Sequence, residues 1–157
     1  MKIYLAGPLF THAERAFLDI VAARLRAEGF AVFVPHEQFA EQKFMRSEGG
    51  AAADEVYLTD LEGMFGANVV LAWLDGTQVD DGTAVEIGIF SRLCEQDSAC
   101  YRGIIGLSTD MRIARRRGLV PADGINLFVA GAIRSVGEIV WSIDEAVTTL
   151  IRLRDRA

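Results

Sequence analysis

Ala67 to Leu74, interrupted only by Asn68, is the most apolar stretch of the chain. It is short, β-branched and apolar at consecutive positions, a pattern that predicts a parallel strand covered on both faces. Lys2 to Ala6 reads as an earlier strand, broken by Gly7-Pro8. Thr11 is placed to cap a helix from about His12 to Glu28, in which Phe17, Ile20, Val21 and Leu25 recur at helical spacing, and Gly29 would end it. Ala31 to Val34 predicts a second strand, stopped by Pro35. From His36 to Ala53 the pattern is weak and reads as a mobile loop, a candidate lid. Asp54 to Phe65 predicts a short helix leading into the buried strand. Thr83 to Leu93 predicts the next helix, with Glu86 in its first turn. A fourth strand is expected at Tyr101 to Leu107, a fifth around Ala132 to Val136, and a last amphipathic helix from Ile143 to about Leu153.

Alternation of strand and helix patterns implies a parallel sheet with helices on both faces. Five strands joined by right-handed crossovers give an α/β, flavodoxin-like three-layer sandwich, with the sheet in order 2-1-3-4-5. Composition adds limits to that picture. The 157 residues, 51% apolar and 24% charged, suit one domain over the whole length, without repeats. A net charge of −6 disfavours nucleic acid or an anionic membrane surface as partner, since both call for a basic stripe. No run is long enough for a membrane span, and Met1-Lys2 leads straight into a strand, so the chain is expected in the cytoplasm. Cys94 and Cys100 make no disulfide framework, and with only His12 and His36 beside them no metal site is expected. Gly7-Pro8 is not a dinucleotide fingerprint, and no cofactor is expected either. Asp110, Arg112, Arg115, Arg116 and Arg117 read as a solvated charged segment, and Pro121 to Gly124 as a turn.

In a sheet of this order the ends of strands one and three flank the switch point. Tyr4, Gly7, Phe10 and the stretch from Asp75 to Glu86 would therefore meet at one crevice, with Asp60 entering from the helix before strand three. Carboxylates beside aromatic rings are the equipment for breaking glycosidic bonds: one attacks or stabilises the oxocarbenium-like carbon, another handles the leaving-group proton. A plainer reading stays open for each residue. Glu86 can be a solvated acid at a helix start, Asp80 a helix cap, Tyr4 a buried ring with its hydroxyl at the rim, and Phe10 a core residue.

Three separated motifs carry a resemblance to the nucleoside 2-deoxyribosyltransferase family. Tyr4-Leu5-Ala6-Gly7-Pro8-Leu9-Phe10-Thr11 is similar to that family's first strand and loop. Asp60-Leu61 and Asp80 to Gly88 resemble its acidic motifs, and Ile125-Asn126-Leu127 resembles its Asn-Leu-Met segment. The resemblance implies that Glu86 attacks C1′ of the deoxyribose to give a covalent deoxyribosyl ester. Tyr4 would orient Glu86, and Asp60 would pass a proton to the departing base, with a pKa raised by neighbouring carboxylates. Asp80 would contact the sugar hydroxyls, and Phe10, beside Gly7, would stack on the base. Asn126 would reach into an adjacent subunit's site, which implies a homo-oligomer; its ligands would be deoxynucleosides and nucleobases. Phe128 stands where the family usually has methionine, and the chain closes on Arg154-Asp155-Arg156-Ala157 instead of the aromatic residue some members use. Hydrolysis of deoxynucleoside 5′-monophosphates on the same glutamate, and a nucleoside-binding module without turnover, are the rival readings.

Overall fold

A computed structural model describes residues 1–39, 49–111 and 124–156. Its strands are β1 (Lys2–Ala6), β2 (Ala31–Phe33), β3 (Val69–Trp73), β4 (Gly103–Leu107) and β5 (Glu138–Val140). The helices are α1 (His12–Ala27), α2 (Gly49–Phe65), α3 (Asp81–Gln96), α4 (Leu127–Val136) and α5 (Ile143–Asp155), with a 3-10 turn at Pro35–Gln38. All strand pairs are parallel, in the order β2-β1-β3-β4-β5. This is the arrangement expected from the sequence.

Strand alternation divides the core in two. Ile3 and Leu5, Val69 and Leu71, and Ile105 and Leu107 face α1 and α5, where Leu18, Val21, Leu25, Val147 and Leu150 meet them. Tyr4 and Ala6, Val70 and Ala72, and Ile104 face the other way, onto Met64 of α2, Ile87 and Phe90 of α3, and Ile133 of α4. Each such fully buried aliphatic side chain contributes about 1.5–3 kcal/mol, so both layers are held chiefly by their apolar stripes. Helix starts follow their caps. Thr11 forms a reciprocal box with Glu14, and Asp80, Asn126 and Ser142 each accept a backbone N–H of the following turn.

Several boundaries differ from expectation. Ala132 to Val136 is the end of helix α4, and the fifth strand follows it at Glu138. A short apolar run cannot be assigned to strand or helix by periodicity alone; here the Asn126 cap and the burial of Ala130 and Ile133 on one face decide for helix. Helix α2 begins at Gly49, so the later part of the expected loop is helical, while residues 40–48 lie outside the described residues. Helix α3 begins at Asp81, because the Asp80 carboxylate caps it, and Glu86 therefore sits in its second turn. Strand β2 stops at Phe33, β4 starts at Gly103, and α5 runs on to Asp155. The arginines at 112 and 115–117, and residues 121–123 of the expected turn, lie outside the described residues. Among those described, no helix is long and apolar enough to cross a membrane.

Two glycines permit close approaches that matter below. A Cβ on Gly63 of α2 would lie 2.5 Å from the Phe33 ring, and one on Gly137 would lie 1.8 Å from the Ile104 carbonyl oxygen.

Candidate active site

Tyr4 lies in the middle of the sheet, fully buried, with its ring stacked on Phe33 at a centroid separation of 5.4 Å. Because β1 alternates, its side chain points to the layer of α2 and α3. There its hydroxyl donates a short hydrogen bond to Glu86 Oε1. Glu86 reaches this point because Thr83, Ile87, Phe90 and Cys94 press α3 onto the sheet, and position 86 lies at the edge of that stripe. Asp60 arrives from the opposite helix. Gly63, one turn further along α2, lets that helix close onto Phe33, and Asp60 shares its face. The three residues singled out for chemistry are thus brought together by three different elements.

Burial sets their electrostatics. The Glu86 carboxyl is pushed up to about 8, first by loss of solvent and further by the charges of Asp60 and Asp80, with the Tyr4 hydroxyl acting the other way. Asp60 is raised to about 6 by burial, again opposed by Tyr4. Desolvation, and not the neighbouring carboxylates the sequence suggested, is what raises it. Burial and both carboxylates drive the Tyr4 phenol far above its ordinary range, so it remains a donor. Asp60 Oδ1 is buried with no hydrogen-bond partner among the described residues. Such an atom in a cavity wall is expected to meet a ligand or water.

The cavity is an open pocket of about 550 Å³ between α2 and α3. Ala52, Ala53, Val56, Tyr57, Asp60 and Met64 line one side, and Gly82, Val85, Glu86 and Ile89 the other. Besides the two carboxylates, Gly82 and Val85 fall in the Asp75 to Glu86 stretch that the sequence places at the crevice; the other six were not singled out. The signal was present as two stripes of helical period, 53-56-57-60-64 and 82-85-86-89, but nothing local shows that the stripes face each other.

None of the remaining candidates is among the residues lining this pocket. Asp80 uses Oδ2 to accept from the Thr83 N–H and hydroxyl, both at 3.0 Å, which makes it the cap of α3. Gly7 packs beneath Trp73 and Leu18. Phe10 is 73% exposed, so it is not a core residue. Asn126 caps α4, its Oδ1 accepting from the N–H groups of Phe128 and Val129 at 2.9 and 3.3 Å, and Phe128 is 89% exposed. Asp75 ties the loop after β3 to the loop after β4, accepting from Thr109 N at 2.7 Å and from the hydroxyls of Ser108 and Thr109.

A sequence profile of the nucleoside 2-deoxyribosyltransferase family matches residues 3–121. Among solved structures, a conserved protein from Enterococcus faecalis V583 superposes with a TM-score of 0.76 at 22% identity, over 100% of this chain and 99% of that one. A 2-deoxyribosyltransferase from the psychrotolerant bacterium Bacillus psychrosaccharolyticus superposes with a TM-score of 0.66 at 20% identity, over 94% of this chain and 90% of that one. No curated protein matches the sequence. At these identities the structural likenesses establish the fold.

Proposed function

The chain belongs to the nucleoside 2-deoxyribosyltransferase family, and from that membership we propose that it moves 2-deoxyribosyl groups between purine and pyrimidine bases through an ester on Glu86. The observation that carries the reading is the contact of the Tyr4 hydroxyl with Glu86 Oε1 in a pocket shared with Asp60. With one oxygen held by Tyr4, the other is free to bond to C1′ as the C1′–N bond breaks. The electron pair of that bond stays on the base nitrogen, which takes its proton from Asp60. A second base then attacks C1′, the ester leaves as the Glu86 carboxylate, and the incoming base returns its proton to Asp60. Water in place of that base completes a hydrolysis. Asp80 presents its second carboxylate oxygen to the sugar hydroxyls. Phe10 stacks on the base from the loop after β1, in which Arg15 holds the Leu9 and Phe10 carbonyls at 2.7 and 3.1 Å and Gly7 gives close approach.

Incubating the protein with thymidine and adenine tests this directly. Appearance of deoxyadenosine and thymine supports transfer. Free base alone, or release of adenine from dAMP alone, points instead to a hydrolase.

The same chemistry predicts a pH profile. Glu86 and Asp60 titrate as a pair that holds one proton between about 6 and about 8; the proton rests mostly on Glu86, and the working state is the less populated arrangement with the proton on Asp60 and Glu86 ionised. Below about 6 both carboxyls are neutral and above about 8 both are charged. The logarithm of kcat/KM should therefore form a bell with limbs near those values. A rate that climbs steadily from about pH 5 to about pH 9 would remove Asp60 as the proton donor.

The site is further read as shared between subunits. Leu127 and Phe128, 58% and 89% exposed, begin α4 directly after Asn126 and make an apolar edge suited to burial against a second copy. Asn126 and Phe128 then complete the neighbour's site. Mixing inactive Glu86→Ala subunits with inactive Asn126→Ala subunits should restore activity where an intact Glu86 meets an intact Asn126. A monomer by light scattering, or no recovery after proven exchange, counts against sharing.

A further inference from the structure

The walls of the pocket between α2 and α3 have a chemistry of their own. Val56 and Met64 on one side and Val85 and Ile89 on the other offer no hydrogen-bonding side-chain group. Tyr57, one turn before Asp60 on the same face of α2, is the one further polar side chain among the described residues of that lining besides the two carboxylates. Tyr57 and Val85 are both exposed on their respective helices, so an aromatic ring and an aliphatic side chain line the open pocket on opposite sides, next to the reacting groups. Asp60 Oδ1 in this lining is buried with no partner among the described residues, which leaves it to answer a polar atom of whatever enters.

We propose that this groove selects nucleobases by shape and apolar contact, so that its best partners carry an apolar substituent on the outer edge where common bases carry keto or amino groups. The inference rests on the glycosyl-transfer reading of the same site. A base such as hypoxanthine, with a keto oxygen and an N1–H on its outer edge, finds hydrogen-bonding side chains in this lining only at Asp60, Glu86 and Tyr57 among the described residues, and loses a hydrogen bond wherever a polar atom faces valine, methionine or isoleucine. Each polar group left unpaired costs about a factor of ten in affinity. A methyl group placed on the same wall gains about fourfold, because it leaves water for an apolar surface.

The test compares hypoxanthine with 6-methylpurine. Equilibrium binding of both is measured by calorimetry on the Glu86→Gln protein, which cannot turn them over, and kcat/KM is measured for both as acceptors with thymidine as donor. We expect 6-methylpurine to bind at least about tenfold more tightly. Val56→Thr and Val85→Thr, which keep the volume and add a hydroxyl to the wall, should narrow that gap. Equal binding, a preference for hypoxanthine, or binding of neither base overturns the proposal. Transfer is scored separately: if transfer proceeds while hypoxanthine is preferred, the groove inference fails and the transferase reading stands. If the binding order holds but no base is transferred, the transferase reading fails.

Discussion

Glu86→Gln should leave a folded protein with deoxyribosyl transfer reduced by about a thousandfold or more, the scale seen when an attacking group is removed. Glutamine keeps the length of the side chain, and its carbonyl can still accept the Tyr4 hydroxyl that bonds Glu86 Oε1. What disappears, on the proposed mechanism, is the carboxylate that bonds to C1′. The same substitution should alter stability in a pH-dependent way. The Glu86 carboxyl keeps its proton to about 8 in the folded chain, against an ordinary 4.5. Folding therefore takes up a proton across that window. Wild-type stability is fully present below it, is lost as pH rises through it, and levels off above about 8. Glutamine has no proton to lose, so the variant should be more stable than wild type at alkaline pH, by on the order of 5 kcal/mol or roughly 10 °C or more in Tm, with the difference vanishing in acid. Retention of more than about a hundredth of the wild-type rate would exclude Glu86 as nucleophile. Parallel Tm curves for the two proteins would show that its carboxyl is not held in a desolvating site.

Gly137→Ala is the substitution expected to damage the fold most. A Cβ at this position would sit 1.8 Å from the carbonyl oxygen of Ile104. That oxygen belongs to β4, which is paired with β3 on one side and β5 on the other, so it cannot retreat without breaking a ladder. The chain must move at residue 137, and with it the register that sets Ile105 beside Glu138 and Leu107 beside Val140. We expect a loss of about 3 kcal/mol or more, in the range that marks a disrupted core. In a domain of this size that is a fall of roughly 10 °C in Tm. Gly131→Ala is the matched control. It lies within α4 with nothing within 4 Å of its Cβ position, and should stabilise by about 0.5–1 kcal/mol through helix propensity. If the two variants melt together, the close approach of residue 137 to β4 is wrong.

The different fates of β3 and α4 show how far the sequence could be read. Val69 to Trp73 is apolar on both faces because helices cover both faces of the sheet, and that need is written in consecutive positions. Leu127 to Val136 is equally apolar, yet it is a helix, and Asn126, read as a residue reaching toward a neighbour, is the cap that starts it. Tyr4, Asp60 and Glu86 could be named in advance because strand order brings the ends of β1 and β3 together, and the family resemblance picks for catalysis two of the five acids expected near that point. The groove beside them could not. Val56, Tyr57, Val85 and Ile89 look like ordinary helix faces until α2 and α3 are set side by side, and that placement depends on Gly63 meeting Phe33.

The sequence by itself determined the alternation of elements and the strand order, because these follow from period, turn residues and short-range chirality, and its motifs carried the family resemblance that proposes the glycosyl chemistry. Only the tertiary structure decided which helix faces confront each other and how much water the carboxyls lose. Both depend on packing between segments far apart in the chain, and the raised pKa of Asp60 comes from that burial and not from any residue beside it in sequence.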